Sequence, residues 1–507
     1  MKTKYILSAS LALAASLAQA QERPNIIVFL VDDMGLMDTS LPFITDANGT
    51  PQKQPLNNFY HTPNMERLAQ QGIRFSRFYA QSVSSPTRAT IMTGQNSARN
   101  HTTQWIKSES NNRGTYGPKD WNWLGIRKNT VTLPKMLHKV GYETIHVGKA
   151  HFGPFQSVAE NPLNVGFDIN IAGCSIGQPG SYYGEWGYGN LKGNKARAVP
   201  GLEKYFHTHV FLSEALTLEA NAQIEEAVEA KKPFYLYMAH YALHAPFQTD
   251  KRFLYHYPKD KLPMGGSEKT QAFATLVEGM DQSLGEMMNW LDGLGVAENT
   301  LIIFLGDNGS DAPLGHTKGY GSSAPLRGKK GTEYEGGVRV PFIAAWAKPD
   351  PTNKFQQQLP IPQNAVQQQL GTVMDIFPTV LAVAGAQDDA NHIQDGVDLH
   401  TQLLGQVNEN RTNAVLMHFP HEHRGSYFTN YIEGDWKVIY RYHPEDPKHP
   451  GYELYNLKKD PTESTDLASS EKSILKEMVQ KMAAELIKEN AQYPIDAAGH
   501  SLKPIIP

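Results

Sequence analysis

"NIIVFLVDDMG", residues 25–35, decides the fold. Six apolar residues, Ile26 to Val31, run without polar alternation into the pair Asp32-Asp33. A half-exposed antiparallel strand would alternate, whereas a short unbroken apolar run suits a strand buried on both faces, as in a parallel sheet. The next segment, "TPNMERLAQQG" (62–72), reads as a helix with Thr62 as cap, Pro63 in the first turn and Gly72 as terminator. The alternation then repeats. "VTLPKMLHKVG" (131–141) and "AFATLVEGMDQSLGEMMNWLDGLG" (272–295) read as helices; "YETIHVG" (142–148), "PFYLYMAH" (233–240) and "TLIIFLGDNG" (300–309) read as strands. Strands and helices in this order predict an α/β fold with a doubly wound, mainly parallel sheet.

Past "GTVMDIFPTVLAVAG" (371–385) the texture changes. "YFTNYIEGDWKVIYRY" (427–442) and "GYELYNL" (451–457) read as hairpin-forming strands. A last amphipathic helix places Ile474, Met478, Met482 and Leu486 on one stripe. The expected organisation is a main α/β domain over residues 21–406 and a smaller α+β C-terminal subdomain over 407–507.

The bulk composition narrows the function. With 40% hydrophobic and 10% aromatic residues the 507-residue chain can build a large core. A formal charge of −4 argues against a duplex nucleic-acid partner, which calls for a basic surplus. Residues 1–20 combine Lys2 and Lys4, an apolar stretch and Ala18-Gln19-Ala20, the pattern of a cleavable signal peptide. That stretch is too short for a membrane span, and no cysteine follows it to carry a lipid, so a periplasmic or secreted location without membrane insertion is expected. The single cysteine, Cys174, rules out an internal disulfide and reads as a small buried filler.

Two strands end in oxygen-bearing pairs, Asp32-Asp33 and Asp307-Asn308. Ligands of open α/β sheets bind outside the carboxyl ends of the strands, so central placement of both strands would bring three carboxylates and an amide together. Such a cluster repels itself unless a cation compensates, and an all-oxygen set suits Ca²⁺ or Mg²⁺ rather than Zn²⁺. Either pair alone reads better as a turn cap; both pairs together, with the features that follow, point to a site. Lys149 and His151 follow one strand, His244 another, and Lys330 lies in a glycine-rich stretch after the Asp307 strand. Together they would form a cationic pocket for a tetrahedral oxyanion. "SVSSPTRATIMTG" (82–94) adds a helix with Ser85 as cap and Pro86 as first residue, which sets Ser84 at the positive helix mouth. Arg88, about one turn on, is expected to reach back towards Ser84.

"SSPTRATIMTG" (84–94) resembles the signature of the type I sulfatases, members of the alkaline phosphatase-like superfamily. "GYETIHVGKAHFG" (141–153), "HAPF" (244–247), "GDNG" (306–309), "KGTEYEGGVRVPF" (330–342) and "YELYNLKKDPTESTDLA" (452–468) are similar to further blocks of that family, in the same order. The resemblance implies an alkaline phosphatase-like fold and hydrolysis of sulfate esters. It implies that Ser84 is converted by a maturation enzyme to formylglycine (3-oxoalanine), the catalytic aldehyde. Cysteine is the commoner precursor, so this serine is either native, with its own maturation enzyme, or a replacement of cysteine. Asp32, Asp33, Asp307 and Asn308, with side chain 84, match the ligands of one Ca²⁺. Arg88 and Lys149 match groups that stabilise the nucleophile, His151 its base partner, and His244 and Lys330 the pair at the sulfate and leaving oxygen.

The expected substrate is a sulfated oligosaccharide or polysaccharide, with overall likeness pointing to galactose-containing glycans such as carrageenan. Trp105, Trp121, Trp123, Tyr183 and Trp186 are candidate faces for sugar rings, Tyr183 and Trp186 foremost. His418, His421, His423 and Arg424 are candidates to reach the pocket from the C-terminal subdomain. Two other readings stay open: a phosphate or phosphonate ester hydrolase of the same superfold, and a glycan-binding protein in which Ser84 is unmodified.

Overall fold

The structure is a computed structural model that describes residues 23–263, 265–315 and 321–507; the signal peptide expected at 1–20 lies outside them. The first nine strands of the described residues are β1 (Asn25–Val31), β2 (Ile73–Phe75), β3 (Phe78–Tyr79), β4 (Glu143–Gly148), β5 (Ile169–Ile171), β6 (Phe234–His240), β7 (Thr300–Gly306), β8 (Phe342–Trp346) and β9 (Ala365–Gln367). Eight of them form one sheet in the order β5-β4-β6-β1-β7-β8-β2-β9, while β3 pairs with β10 (Gly371–Thr372). All neighbours in the large sheet are parallel except at β8, which runs antiparallel to β7 and β2. The mainly parallel α/β sheet is thus present.

The unbroken apolar run of β1 reflects burial on both faces. Ile27, Phe29 and Val31 face one layer, and Ile26, Val28 and Leu30 the other, all with no exposure. The first layer contains the helices Pro63–Gln71, Leu212–Glu229 and Glu268–Gly293; the second contains Ser84–Thr93, Leu133–Lys139 and Ile376–Ala384. Helices on both faces of a central strand explain why its side chains need no polar alternation. Among the described residues no helix is long and apolar enough to cross a membrane.

A second, antiparallel sheet comprises β11 (Ala414–Phe419), β12 (Phe428–Glu433), β13 (Trp436–Arg441) and β14 (Gly451–Asn456), in that order. One face packs on the helix Lys472–Lys488, whose buried stripe is Leu475, Met478, Val479, Met482 and Leu486. Ile474 sits at the margin of that stripe, because Leu475 and Val479 take the inner positions. The other face, with Val415, Met417, Ile432 and Ile439, covers Tyr79 and Val338 of the main body. Between them lies a sealed ion cluster. Lys437 Nζ is 3.1 Å from Glu335 Oε1 and 2.7 Å from Glu463 Oε1, and none of the three side chains is more than 1% exposed. The Glu335 N–H also donates to Glu463 Oε2 at 2.7 Å.

Candidate active site

Strands β1, β4, β6 and β7 lie side by side and end at one level, with Val31 in register with both His240 and Gly306. The residues that follow therefore meet at the carboxyl edge, where loops are free to turn inward. Asp32, Asp33, Asp307 and Asn308 are all fully buried. Oxygens of the three aspartates lie within 4.8 Å of one another. The Asp33 N–H donates to Asp307 Oδ1 at 3.0 Å, and Asn308 Nδ2 to Asp33 Oδ1 at 3.0 Å.

Ser84 enters from above. It is the first residue of the Ser84–Thr93 helix, and the cap position belongs to Val83. The expectation that Ser85 caps this helix is corrected: its hydroxyl accepts from the Ile106 N–H at 3.0 Å instead, tying the helix to the loop beside it. The helix stops at Gly94, whose φ of 66° is left-handed and where a Cβ would press on Phe377 at 3.0 Å. Ser84 Oγ is 3.0 Å from Asp32 Oδ1 and 3.2 Å from Asn308 Oδ1, and accepts from Lys149 Nζ at 3.1 Å. Side chain 84 thus stands against the carboxylate cluster.

Arg88 departs from the expected contact with Ser84. Its guanidinium donates twice to Asp307 Oδ2, at 3.0 and 2.8 Å, and once to the Lys149 carbonyl at 2.7 Å. Fully buried, a guanidinium needs this forked arrangement, and the carboxylate supplies it where the serine hydroxyl would not. Lys149 Nζ bonds Asp32 Oδ2 at 2.7 Å, and Lys330 Nζ reaches both oxygens of Asp33 at 2.6 and 2.8 Å. Burial pushes the Asp32 carboxyl up to about 8, with Asp307 and Asp33 adding to the effect and Lys149 opposing it. Asp33 goes the other way: Lys330 and His244 overcome its burial and hold it well below the carboxylate range.

The donor set fits a hard divalent cation. Five oxygen-bearing side chains (Asp32, Asp33, Asp307, Asn308 and Ser84) face one buried point, no sulfur or imidazole is among them, and a positive ion would offset the mutual repulsion of the three carboxylates.

Above the cluster opens a cavity of about 220 Å³. Ser84, Lys149, His151, His244 and Lys330 line its inner end. His151 Nε2 is 2.7 Å from the Ile106 carbonyl, so that nitrogen carries the proton and Nδ1, buried and without a partner, keeps its lone pair. Burial and the charge of Lys149 hold this imidazole well below its usual pKa. His244 is held down to about 4 by burial and by Lys330; its Nδ1 is 3.0 Å from the Ala245 carbonyl and its Nε2 3.7 Å from Asp33. Asp33 and His151 have left-handed backbones, φ 59° and 54°. That conformation costs roughly 1–3 kcal/mol and persists where the surroundings over-determine it.

Trp105, His423 and Arg424 line the outer part of the cavity; Arg424 is paired with Asp311 at 2.5 and 2.9 Å. The other aromatic and histidine candidates do not reach it. Tyr183 packs edge-on to Trp186 and Phe211, its hydroxyl turned to the Thr249 carbonyl, and Lys192 covers the Trp186 ring at 4.3 Å. Trp121 donates to Asn111 and meets His421 edge-on, and Trp123 donates to the Lys107 carbonyl. His418 bonds Thr429 and the Gln492 carbonyl, and His421 bonds Thr103 and the Arg113 carbonyl, so both are spent on holding loops. Cys174 is largely buried, its thiol pushed up to about 11, as a filler would be.

Sequence reasoning missed Gln178 and Arg197, which also line the cavity. Arg197 pairs with Glu109 across a long stretch of chain. Gly177 hinted at this wall: a Cβ there would lie 2.8 Å from the His151 ring, a close approach only glycine allows.

A family model described as Sulfatase matches residues 24–386. The chain is 31% identical over 407 residues to N-acetylgalactosamine-6-sulfatase of Mus musculus, spanning 78% of this chain and 69% of that protein. It is 29% identical to a protein named Sulfatase from Formosa agariphila, over 96% of this chain and 93% of the relative. Among solved structures it is similar to Ps i-CgsB in complex with k-i-k-neocarrahexaose, with a TM-score of 0.70, 24% identity and coverage of 94% and 95% of the two chains.

Proposed function

Since the chain belongs to the sulfatase family, the type I sulfatases of the alkaline phosphatase-like superfamily, and is a sulfuric ester hydrolase, we propose that it is exported and removes sulfate from a galactose-containing glycan, with formylglycine at position 84 and one Ca²⁺. The observation that carries this reading is the position of Ser84 Oγ. It lies 3.0 Å from Asp32 and 3.1 Å from Lys149, at the floor of a cavity whose lining, among the described residues, contains no carboxylate side chain. The lysine, arginine and histidine side chains of that lining suit an anionic ester.

Asp32, Asp33, Asp307 and Asn308 would hold the calcium, which supplies positive charge beside the nucleophile and the sulfate oxygens. As formylglycine, side chain 84 would supply a hydrated aldehyde, with one hydroxyl to attack sulfur and another through which sulfate can leave. The remaining chemistry belongs to the chain's own residues. Arg88, locked on Asp307, and Lys149, shared between Asp32 and Oγ of residue 84, favour an oxyanion at that oxygen. His151 is neutral at physiological pH and offers the free Nδ1 lone pair as proton acceptor. Lys330 stays charged, because Asp33 outweighs its burial, and is the donor best suited to the departing sugar oxygen. The neutral His244, with its Nδ1 turned to a carbonyl, presents Nε2 as an acceptor instead.

The cavity is smaller than the roughly 300–1,000 Å³ of drug-sized pockets, which suits one sulfated sugar at a time. Trp105 offers a ring face, and Arg197 and Arg424 provide cationic groups at the outer wall. A galactose-type sugar is supported by the named substrate of the mouse relative and by the carrageenan oligosaccharide bound to the structural neighbour. Desulfation measured over a panel of defined sulfated oligosaccharides tests the substrate class. Peptide mass spectrometry of residue 84 from the native host tests the modification. Turnover confined to phosphate esters, or an unmodified serine in fully active enzyme, would reject the proposal.

A further inference from the structure

Far from the strand ends, three separate stretches bring polar side chains together. Glu278 lies mid-way along the Glu268–Gly293 helix and is 5% exposed. Its Oε1 is 2.8 Å from His61 Nδ1 and 2.7 Å from His256 Nδ1. His61 comes from the turn that leads into the Pro63–Gln71 helix, and His256 from the single turn Leu254–His256. The two imidazole rings are 4.3 Å apart. Glu278 Oε2 is buried and accepts no well-formed hydrogen bond.

As a purely structural cluster this arrangement is poor. One carboxylate oxygen serves two rings, while its twin makes no well-formed hydrogen bond although the Tyr257 hydroxyl lies beside the carboxylate. A divalent cation would use both ring nitrogens and the carboxylate together. One ligand atom from each residue already lies within 4.8 Å of the others. Two nitrogens and one oxygen make a borderline-soft set, the choice of zinc and unlike the all-oxygen cluster at the strand ends.

We propose that His61, His256 and Glu278 form a second metal site that takes one Zn²⁺. Metal–nitrogen and metal–oxygen bonds of about 2.0–2.2 Å need donor atoms roughly 3.3 Å apart in a tetrahedron. The rings must therefore open by about half an ångström from their present contacts. The side chains of His61 and His256 are 50% and 30% exposed, so they have room to do so, and solvent supplies the remaining ligand. Coordination through Nδ1 leaves each neutral ring with its proton on Nε2, and no redox partner or co-reactant is required. The ion clamps the 254–257 segment to the head of one helix and the middle of another.

The test uses the full mature chain without an affinity tag, saturated with Ca²⁺ so that the strand-end cluster is filled. Isothermal titration with ZnCl₂ is expected to find a zinc site that is weakened at least about tenfold in His61→Ala and in Glu278→Gln. Zinc should raise the Tm of the parent protein and not that of the variants, and Co²⁺ should give the visible bands of a four-coordinate site only in the parent. Calcium-loaded His61→Ala should keep its hydrolytic activity, which shows that the variant is folded. Zinc binding of equal strength in parent and variants, or none in the parent, overturns the proposal.

Discussion

Lys437 Nζ, on the C-terminal sheet, lies 3.1 Å from Glu335 Oε1, and Glu335 belongs to the same glycine-rich segment as Lys330. The segment is fixed at other points too: the Gly331 N–H donates to the Ser82 carbonyl at 2.8 Å, and Gly425 N–H to the Gly331 carbonyl at 2.8 Å. The smaller sheet therefore sets the position of a cation in the candidate site. Removing the ammonium by Lys437→Met takes from Glu335 and Glu463 their shared buried cation, leaving Glu335 the Tyr79 hydroxyl at 3.1 Å and Arg339 at 3.7 Å. A loss of about 3–5 kcal/mol in urea-denaturation stability is expected, and adding Glu463→Gln should recover part of it.

His151 is expected to act through a single atom, Nδ1. His151→Ala should lower kcat by about 10²–10⁴-fold with a much smaller change in KM and an unchanged circular dichroism spectrum. Wild-type turnover in this variant, measured on any accepted sulfated sugar, would remove His151 from the mechanism.

The packed carboxylates at the strand ends are expected to make stability depend on a cation. Dialysis against EGTA should lower the Tm, and Ca²⁺ alone should restore it, by about 2.7 kcal/mol when present at a hundredfold excess over Kd. In Asp307→Asn the recovery on adding Ca²⁺ should shrink, as followed by scanning calorimetry.

Asp38 gives a pH signature of its own. Its carboxylate accepts from the Gly35 N–H at 2.9 Å and from the Ser310 hydroxyl at 3.0 Å, and burial pushes it from 3.8 up to about 7. The folded protein holds this proton where the unfolded chain has released it. The contribution is therefore full below about pH 4 and is lost as pH rises towards and through 7. Relative to Asp38→Asn, which cannot ionise, the parent should lose on the order of 1–2 kcal/mol between pH 5 and 7. Parallel urea-midpoint profiles for the two proteins would contradict this.

Arg424 stands at the outer wall of the cavity, away from the carboxylate cluster. Arg424→Ala should raise KM several-fold on sulfated oligosaccharides and leave kcat nearly unchanged, as steady-state kinetics would show. A matching fall in kcat would instead tie the residue to the transition state.

The core of the fold was legible because burial on both faces leaves an unbroken apolar run, as in Ile26 to Val31. The strand-end acids were legible for a related reason: a strand that stops at Asp32-Asp33 announces its own edge. Local pattern failed where a side chain had a distant partner to choose. Ser85 looked like a helix cap, yet the Ile106 N–H, brought in by another loop, claims its hydroxyl. Arg88 has the spacing to meet Ser84, but Asp307 offers a stronger forked contact. Tyr183 and Trp186 sit in a glycine-aromatic loop that looked sugar-facing, and they turn out to pack on each other, with Tyr183 also against Phe211 and Lys192 over the Trp186 ring. Arg197 carried no local signal, since its place in the cavity wall depends on a pairing with Glu109.

The turn between β11 and β12 brings His423 and Arg424 over a centre otherwise built from the main sheet. The turn is tied to the main body, since the Gly425 N–H donates to the Gly331 carbonyl beside Lys330. A graft of this turn from one relative to another would therefore have to keep that backbone contact if the grip on the sugar is to change while Lys330 stays in place. The matched stretch of 24–386, expressed without the rest, would leave Tyr79, Val338 and Glu335 without the sheet that covers them.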